Sequence, residues 1–538
     1  MSGASELKAS HETSHHNHRH AAAAAAAACV TALLAKMTPR CAQVVPALAL
    51  LLLALIGILL LVIPTRELQK PPEFEYGIVL DAGSSHTSMY IYKWPADKQN
   101  GTGIVTQHDE CNVKGKGISG YAGVPGGAAK SLEECLQQAV RNIPKNRHSK
   151  TPLYLGATAG MRLLEEKNAS ESHRVLKEVG TKLKSYPFNF KGSTILSGQD
   201  EGAFGWVTVN YLLENFAKYG FVGHWLNPGK DTIGALDLGG ASTQITFQTE
   251  IQLENPDNSK KLKLYGQEYQ LYTHSFLCYG QDQFLRRLLA LLITTQGVSN
   301  GTVFNPCYPK DYSTSVNLEA DVFSSPCTKK YKLQTVDLKS DVTLQGTGNH
   351  QQCLSSVQKL FSFDKCNFSR CSFDGVYQPA TSGKFMAFSA FYFFNSYVTA
   401  LTNISDPRRM KEASQLVCNM NIKQMMAITK QPEKYMKNVC AVSNYMQVLL
   451  TEGYGFNNST LPMIAFEKKA GGASVGWSLG YMLSLTSQLP QERLSVLKAI
   501  PPGPWSGLVI LFAALLLMTL VQLGWLFCRK NSPKMGVV

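Results

Sequence analysis

Two short segments, residues 78–87 (IVLDAGSSHT) and 235–244 (ALDLGGASTQ), carry one pattern. Each has an apolar run, an Asp (Asp81 or Asp237), and a turn of small residues with Ser or Thr. Apolar runs of this length rich in β-branched residues read as buried strands. Small residues after the strand let backbone N–H groups approach an anion, and Gly supplies backbone conformations that other residues avoid. An Asp at the strand end offers a hard oxygen to a divalent cation, directly or through water. One such segment fits an ordinary hairpin with a polar turn. Two in one chain predict a cleft, with Asp81 and Asp237 facing each other across a nucleotide polyphosphate and its cation.

A length of 538 residues exceeds a single core and predicts two or three lobes. The net charge of +14 is scattered, without a Lys/Arg stripe interleaved with aromatics, which argues against a nucleic-acid reader. A mildly basic surface suits an anionic substrate. Residues 44–63 and 505–528 are each long and apolar enough to cross a bilayer. The first outruns the apolar region of a cleaved signal peptide, about 7–15 residues, and ends in Pro64-Thr65-Arg66, so it predicts an uncleaved anchor. Arg529, Lys530 and Lys534 follow the second span, while Lys36 and Arg40 precede the first; Arg66 and Lys70 count against them. The positive-inside rule then puts both termini in the cytosol, and residues 67–500 outside the cell or in a secretory lumen.

Sequons at Asn100, Asn168, Asn300, Asn367, Asn403, Asn457 and Asn458 all fall between the spans. Ten of the 13 cysteines, Cys111 to Cys440, share that interval, and no pair has CxxC spacing. Both facts fit disulfides in an oxidising compartment, with connectivity left open by spacing. Residues 1–43 read as a tail with a His cluster (His11, His15, His16, His18, His20) and an Ala run from Ala21 to Ala28. A solvated tail is the expectation, with metal binding by the His cluster as the alternative. Met37 is an alternative start. Cys528 stands at the membrane–cytosol boundary as either a palmitoylated or a free thiol.

Between the spans, residues 76–94 read as a hairpin and 129–140 as a helix. Residues 152–156 (PLYLG) form a strand running into a second small-residue turn, Ala157 to Arg162, and a helix. The strand 194–197 meets Gly198-Gln199-Asp200-Glu201-Gly202, then a helix over about 203–216. Glu201 therefore stands at a helix N-terminus, where acids are common because the helix dipole favours them. Residues 233–237 and 244–247 form the second hairpin. The aromatic run 385–398 reads as core, and 476–483 as a glycine-flanked turn into an apolar helix.

DAGSSHT (81–87), GATAGMRLL (156–164), GQDEGAFGW (198–206), DLGGASTQ (237–244) and GWSLGYML (476–483) follow one another in the order of the five apyrase conserved regions. The chain resembles the cell-surface ecto-nucleoside triphosphate diphosphohydrolases of the apyrase family, nearest their type 2, ecto-ATPase branch. THSFLCYG and the two-span layout extend the likeness over about 67–528.

The resemblance implies an α/β fold of the actin/hexokinase/heat-shock-ATPase type with two ribonuclease-H-like lobes. These would span about 74–197 plus 468–492, and about 198–467. It implies disulfides Cys111–Cys135, Cys278–Cys327, Cys307–Cys353, Cys366–Cys371 and Cys418–Cys440. It implies metal-dependent extracellular hydrolysis of nucleoside triphosphates, ATP ahead of ADP, with Mg²⁺ or Ca²⁺, regulating extracellular nucleotide signalling. Glu201 would be the general base, with Ser242 and Gln244 orienting the water. Asp81 and Asp237 would hold the cation's water shell, and Trp477 would pack nearby. Ser84, Ser85, His86, Thr87, Thr158, Gly239, Gly240, Ala241 and Ser242 would cradle the phosphates. Phe393 and Tyr435 would stack the base, with Tyr435 where some relatives carry Arg.

Rival readings are a sugar kinase on the same fold, a non-catalytic nucleotide-binding receptor or adhesion protein, and a broad apyrase acting equally on ATP and ADP. Extracellular placement and Glu201 beside a water-orienting pair argue against the first, and the presence of Glu201, Ser242 and Gln244 together argues against the second, which would tolerate their loss. A soluble nucleoside diphosphatase of the secretory pathway is disfavoured by the second span. Self-association through the transmembrane helices is left open.

Overall fold

The computed structural model describes residues 41–62, 73–96, 104–216, 218–219, 225–226, 231–298, 301–332, 337–486 and 502–530. Asn100, Asn300, Cys29, Met37, the His and Ala tracts, and the flanking charges Lys36, Arg40, Arg66, Lys70 and Lys534 lie outside the described residues. The chain divides into two compact units, residues 72–492 and residues 1–71 with 493–538.

The larger unit holds two sheets of matching topology. The first runs β3-β2-β1-β4-β5, from strands β1 (Phe74–Ala82), β2 (Thr87–Pro95), β3 (Thr106–Asn112), β4 (Pro152–Ala157) and β5 (Asn189–Ile195). β1, β2 and β3 pair antiparallel, whereas β4 joins β1, and β5 joins β4, in parallel. The second sheet uses β6 (Gly234–Leu238), β7 (Ser242–Gln248), β8 (Ser259–Leu264), β9 (Gln267–Leu277), β10 (Phe385–Ser389) and β11 (Ile464–Phe466), in the order β8-β9-β7-β6-β10-β11. Without the edge strand β8 it repeats the first sheet, with β9, β7 and β6 antiparallel and β10 and β11 parallel. The mixed α/β class predicted from sequence is the class observed.

Five helices matter for the site: α1 (Ala159–Lys167), α2 (Gly198–Leu212), α3 (Gln281–Gln296), α4 (Ala390–Thr402) and α5 (Trp477–Thr486). α2 packs on the second sheet and α5 on the first, and the two pack on each other between the sheets. α2 buries Ala203, Trp206, Val207 and Val209 together with polar Thr208 and Asn210, the signature of a helix covered on several sides. A β-carbon on Gly480 of α5 would stand 2.0 Å from the Phe204 carbonyl oxygen, so glycine sets how closely the helices approach. The Gly480 N–H donates to Thr208 Oγ1 at 2.8 Å across the same contact.

Three local readings shift. α2 begins at Gly198, ahead of the predicted 203, because the Ser197 hydroxyl caps it by accepting from the Asp200 N–H at 3.0 Å. The single helix expected over 129–140 is two, Gly127–Ser131 and Glu133–Asn142, with Leu132 at the junction. The aromatic run 385–398 is half strand and half helix, a division that its unbroken apolar character hides.

Disulfides join Cys111–Cys135, Cys278–Cys327, Cys307–Cys353, Cys366–Cys371 and Cys418–Cys440. The buried pairs Cys307–Cys353 and Cys418–Cys440 lie side by side, with Cys440 Sγ 3.8 Å from Cys353 Sγ. Asn168, Asn367, Asn403, Asn457 and Asn458 are exposed.

The smaller unit contains the helices Cys41–Val62 and Pro502–Lys530, each with a stretch long and apolar enough to cross a membrane. They pack on each other through small residues. Ala47 and Ala54 are buried, and Gly57 lies against the Phe512 ring. The Trp505 indole N–H donates to the Leu61 carbonyl at 3.1 Å.

Candidate active site

Both Asp turns are built the same way. On β1 and β2, Asp81 pairs with Ser88 and Ala82 with Thr87, leaving Gly83 to His86 as the turn. On β6 and β7, Asp237 pairs with Gln244 and Leu238 with Thr243, leaving Gly239 to Ser242. The two turns meet. A β-carbon on Gly240 would stand 3.0 Å from Ser84 Oγ and 2.7 Å from Asp282 Oδ2. The second turn is strapped to the start of α3, whose Gln281 and Asp282 N–H groups donate to the Gly239 and Gly240 carbonyls, each at 2.8 Å.

Of the predicted phosphate cradle, Ser85 and His86 are exposed, with Ser85 Oγ 3.0 Å from His86 Nδ1, and Ser84 is half-buried. Thr158 is buried at the mouth of α1 and donates its N–H to the Ala82 carbonyl at 3.1 Å. Thr87 is placed differently: it is fully buried beneath the turn, its hydroxyl without a partner.

Asp81 and Asp237 sit at the strand ends with part of each side chain open to the cleft. Burial pushes the Asp81 carboxyl up to about 7. The Trp477 indole N–H opposes this without reaching full hydrogen-bond geometry, and the charge of Asp237 adds to it. Burial raises Asp237 to about 6, and the nearby Ser389 hydroxyl opposes this without reaching full hydrogen-bond geometry. Asp237 Oδ1 and Trp477 Nε1 are both buried without a partner. No cluster of three or more His, Cys, Asp or Glu able to hold a metal occurs among the described residues. Two carboxylates with an orphaned oxygen fit a hydrated divalent cation gripped through its waters. They do not fit a cation caged by protein ligands.

Beside this pair, four polar residues form one network around Glu201, which is 7% exposed in the first turn of α2. Arg162 Nη2 donates to Glu201 Oε2 at 2.5 Å and to Ser242 Oγ at 3.3 Å. Gln244 Nε2 donates to Ser242 Oγ at 2.6 Å and to Ser275 Oγ at 2.9 Å. Burial pushes Glu201 up to about 8. The Arg162 guanidinium pulls it down, while the charges of Asp237 and Asp81 raise it further. The three acids thus share one electrostatic field, and a cation between the two Asp residues would relieve it.

Arg162 and Ser275 were not singled out from sequence, although each lies inside a quoted motif, GATAGMRLL and THSFLCYG. The signal was present, but without the fold neither could be tied to Glu201. Asp282 is likewise new, exposed on α3 beside Gly240. On the base side, Phe393 is 39% and Tyr435 36% exposed. Tyr397, one turn beyond Phe393 on α4, has its ring centroid 6.4 Å from that of Tyr435, and Lys468 Nζ lies 5.5 Å over the Phe393 ring.

Two sheets of one topology, their Asp turns face to face and a buried acid set beside a serine and a glutamine, fit a two-lobed phosphohydrolase. The GDA1/CD39 (nucleoside phosphatase) family model matches residues 67–498, and the chain belongs to that family. It is 49% identical over 489 residues to ectonucleoside triphosphate diphosphohydrolase 2 of Homo sapiens, covering 90% of this chain and 97% of that one. Against ectonucleoside triphosphate diphosphohydrolase 8 of Gallus gallus it is 42% identical over 481 residues, covering 88% and 96%. Its fold matches the crystal structure of nucleoside triphosphate hydrolases from Neospora caninum with a TM-score of 0.55 at 15% identity, over 78% of this chain and 93% of that chain. Enzymes of the family depend in general on divalent cations.

Proposed function

We propose that the chain is a membrane-anchored ecto-enzyme that hydrolyses the terminal phosphate of extracellular nucleoside triphosphates, ATP ahead of ADP, and so tunes extracellular nucleotide signalling. Both termini are cytosolic, and residues 67–500 face the outside. The observation that carries this reading is the Glu201 network: a buried carboxylate paired with Arg162 beside Ser242 and Gln244, within the electrostatic reach of Asp81 and Asp237.

Glu201 takes a proton from the attacking water, a role that needs its ionised form. Ser242 and Gln244 each donate and accept hydrogen bonds, so they orient that water for in-line attack. Asp81 and Asp237 would hold Mg²⁺ or Ca²⁺ through its waters, and the bound cation would supply neutralisation of phosphate charge. Ser84, Ser85 and His86 line one side of the phosphates, and Gly239, Gly240 and Ala241 the other. Phe393 and Tyr435 flank the base by stacking, which reads no base edge and tolerates different nucleotides.

Phosphate release from ATP and from ADP by intact cells expressing the chain, with and without EDTA, tests the proposal. Release at the cell surface, faster from ATP and abolished by EDTA, is expected. Absence of surface release, or release indifferent to EDTA, would sink it.

A further inference from the structure

Ser275 stands on β9 directly across from Gln244 of β7, which in turn pairs with Asp237 of β6. Register partners in a sheet project to one face, so Asp237, Gln244 and Ser275 form one row. Gln244 is buried and spends both protons of its amide nitrogen on hydroxyl oxygens, Ser242 Oγ at 2.6 Å and Ser275 Oγ at 2.9 Å. Its carbonyl oxygen Oε1 accepts no hydrogen bond among the described residues, yet it is not one of the buried polar atoms left without a partner. Oε1 therefore keeps access to solvent while the nitrogen end is enclosed.

The sense of this amide matters for the chemistry. A water that donates one proton to Glu201 and the other to Gln244 Oε1 keeps an oxygen lone pair free for phosphorus. An amide turned end for end would present N–H groups to that water and occupy the lone pair needed for attack. Ser242 alone serves either sense, because one hydroxyl can accept from Nε2 or donate to Oε1. Ser275 engages the second amide proton, and without it that proton faces no acceptor. The first sheet has the same row in Asp81, Ser88 and Asn112, where Ser88 donates to Asn112 Oδ1 at 2.9 Å. Only on the second sheet does the middle residue carry an amide to be oriented.

We propose that Ser275 is a positioning residue that fixes the sense of the Gln244 amide, with the nitrogen toward the hydroxyls and Oε1 toward the attacking water. This inference rests on Gln244 orienting that water, as read above.

The test is a double-mutant cycle on the full chain in detergent: parent, Ser275→Ala, Gln244→Ala and both together. A β-carbon on Gly198, at the start of α2, would stand 2.3 Å from Ser275 Cβ. Ser275→Ala keeps the Ser275 β-carbon at that contact and removes only the hydroxyl. The readouts are kcat and KM for ATP, with melting temperature as the folding control. Ser275→Ala should lower kcat about 3- to 10-fold, the range for one lost hydrogen bond, and leave KM within about 2-fold. In the Gln244→Ala background the same change should leave kcat unaltered, because no amide remains to be oriented. A loss through folding alone would appear equally in both backgrounds. That equal loss, or a kcat unchanged in Ser275→Ala, would overturn the positioning. If Gln244→Ala lowers kcat while Ser275→Ala does not, the inference fails alone. If Gln244→Ala keeps full kcat, the reading of the water site fails with it.

Discussion

Arg162 holds the Glu201 carboxylate at 2.5 Å in a pair only 16% and 9% exposed, so Arg162→Gln is a direct probe of how the base is tuned. At a charge separation of about 4 Å the pair is worth about 1 kcal/mol in a water-like medium and about 4 kcal/mol at a dielectric of 20. At about 1.4 kcal/mol per pKa unit, and with some solvent reaching the pair, losing the guanidinium should raise the Glu201 pKa by about one to two. Glu201 works as a base only when ionised, so activity is lost as pH falls through its pKa, which burial has already raised to about 8. At pH 7.4 the ionised fraction, about one fifth in the parent, would fall about 8- to 80-fold in the variant. At pH 9.5 the same shift leaves a deficit of only about 1.3- to 4-fold. The assay is kcat/KM for ATP between pH 6 and pH 10, with phosphate release as the signal and melting temperature as the folding control. A deficit that narrows as pH rises supports the tuning. A deficit of constant size, or an acid limb that does not move, would refute it and leave Arg162 a purely structural partner.

Three further outcomes follow from the same geometry. Glu201→Gln keeps a group able to accept from Arg162 and removes the charge, so kcat should fall by at least about 100-fold with melting little changed; near-normal turnover would remove Glu201 from the base role. Asp81→Ala and Asp237→Ala should each abolish the gain in turnover on adding Mg²⁺ or Ca²⁺, measured in a cation titration after EDTA; an unaltered response in both would break the two-sided clamp. Cys353→Ser opens a disulfide that closes 46 residues of chain and should cost about 4 kcal/mol of stability, read as a lower denaturant midpoint. An unmoved midpoint would mean that the neighbouring Cys418–Cys440 bond holds those helices unaided.

What could be read in the sequence was whatever repeats or clusters locally. The paired Asp turns, the apolar spans and the sequons are patterns of neighbouring residues, and the resemblance of five ordered motifs carried the fold. The Arg162–Glu201 contact was illegible because its partners come from two motifs on different helices, brought together only when α1 and α2 dock beside β7 and β9. The buried position of Thr87 was missed for the opposite reason. In sequence it continues a run of turn residues, but the register makes it the first residue of β2, facing the core. The change from strand to helix after Ser389 was hidden inside an aromatic run whose apolar pattern is the same in both.

The duplicated topology also gives a reason for the proposed chemistry to sit on one side. The two hairpins have turns in equivalent register, so Ser88 on the first occupies the place that Gln244 occupies on the second, each opposite its Asp. Ser88 donates its hydroxyl to Asn112 on β3 at 2.9 Å and is spent on the scaffold. Gln244 is long enough to reach Ser242 and Ser275, and through them the Arg162–Glu201 pair. The residue before the Thr differs as well: exposed His86 on the first turn, buried Ser242 on the second. In the proposed function, two copies of one hairpin divide the work, the first presenting exposed polar side chains to an anion and the second a sheltered set of hydrogen bonds to a water. Glu201 is on the second side because α2, which carries it, packs on the second sheet. A base on α5, the helix against the first sheet, would face a hairpin with nothing comparable to hold its water.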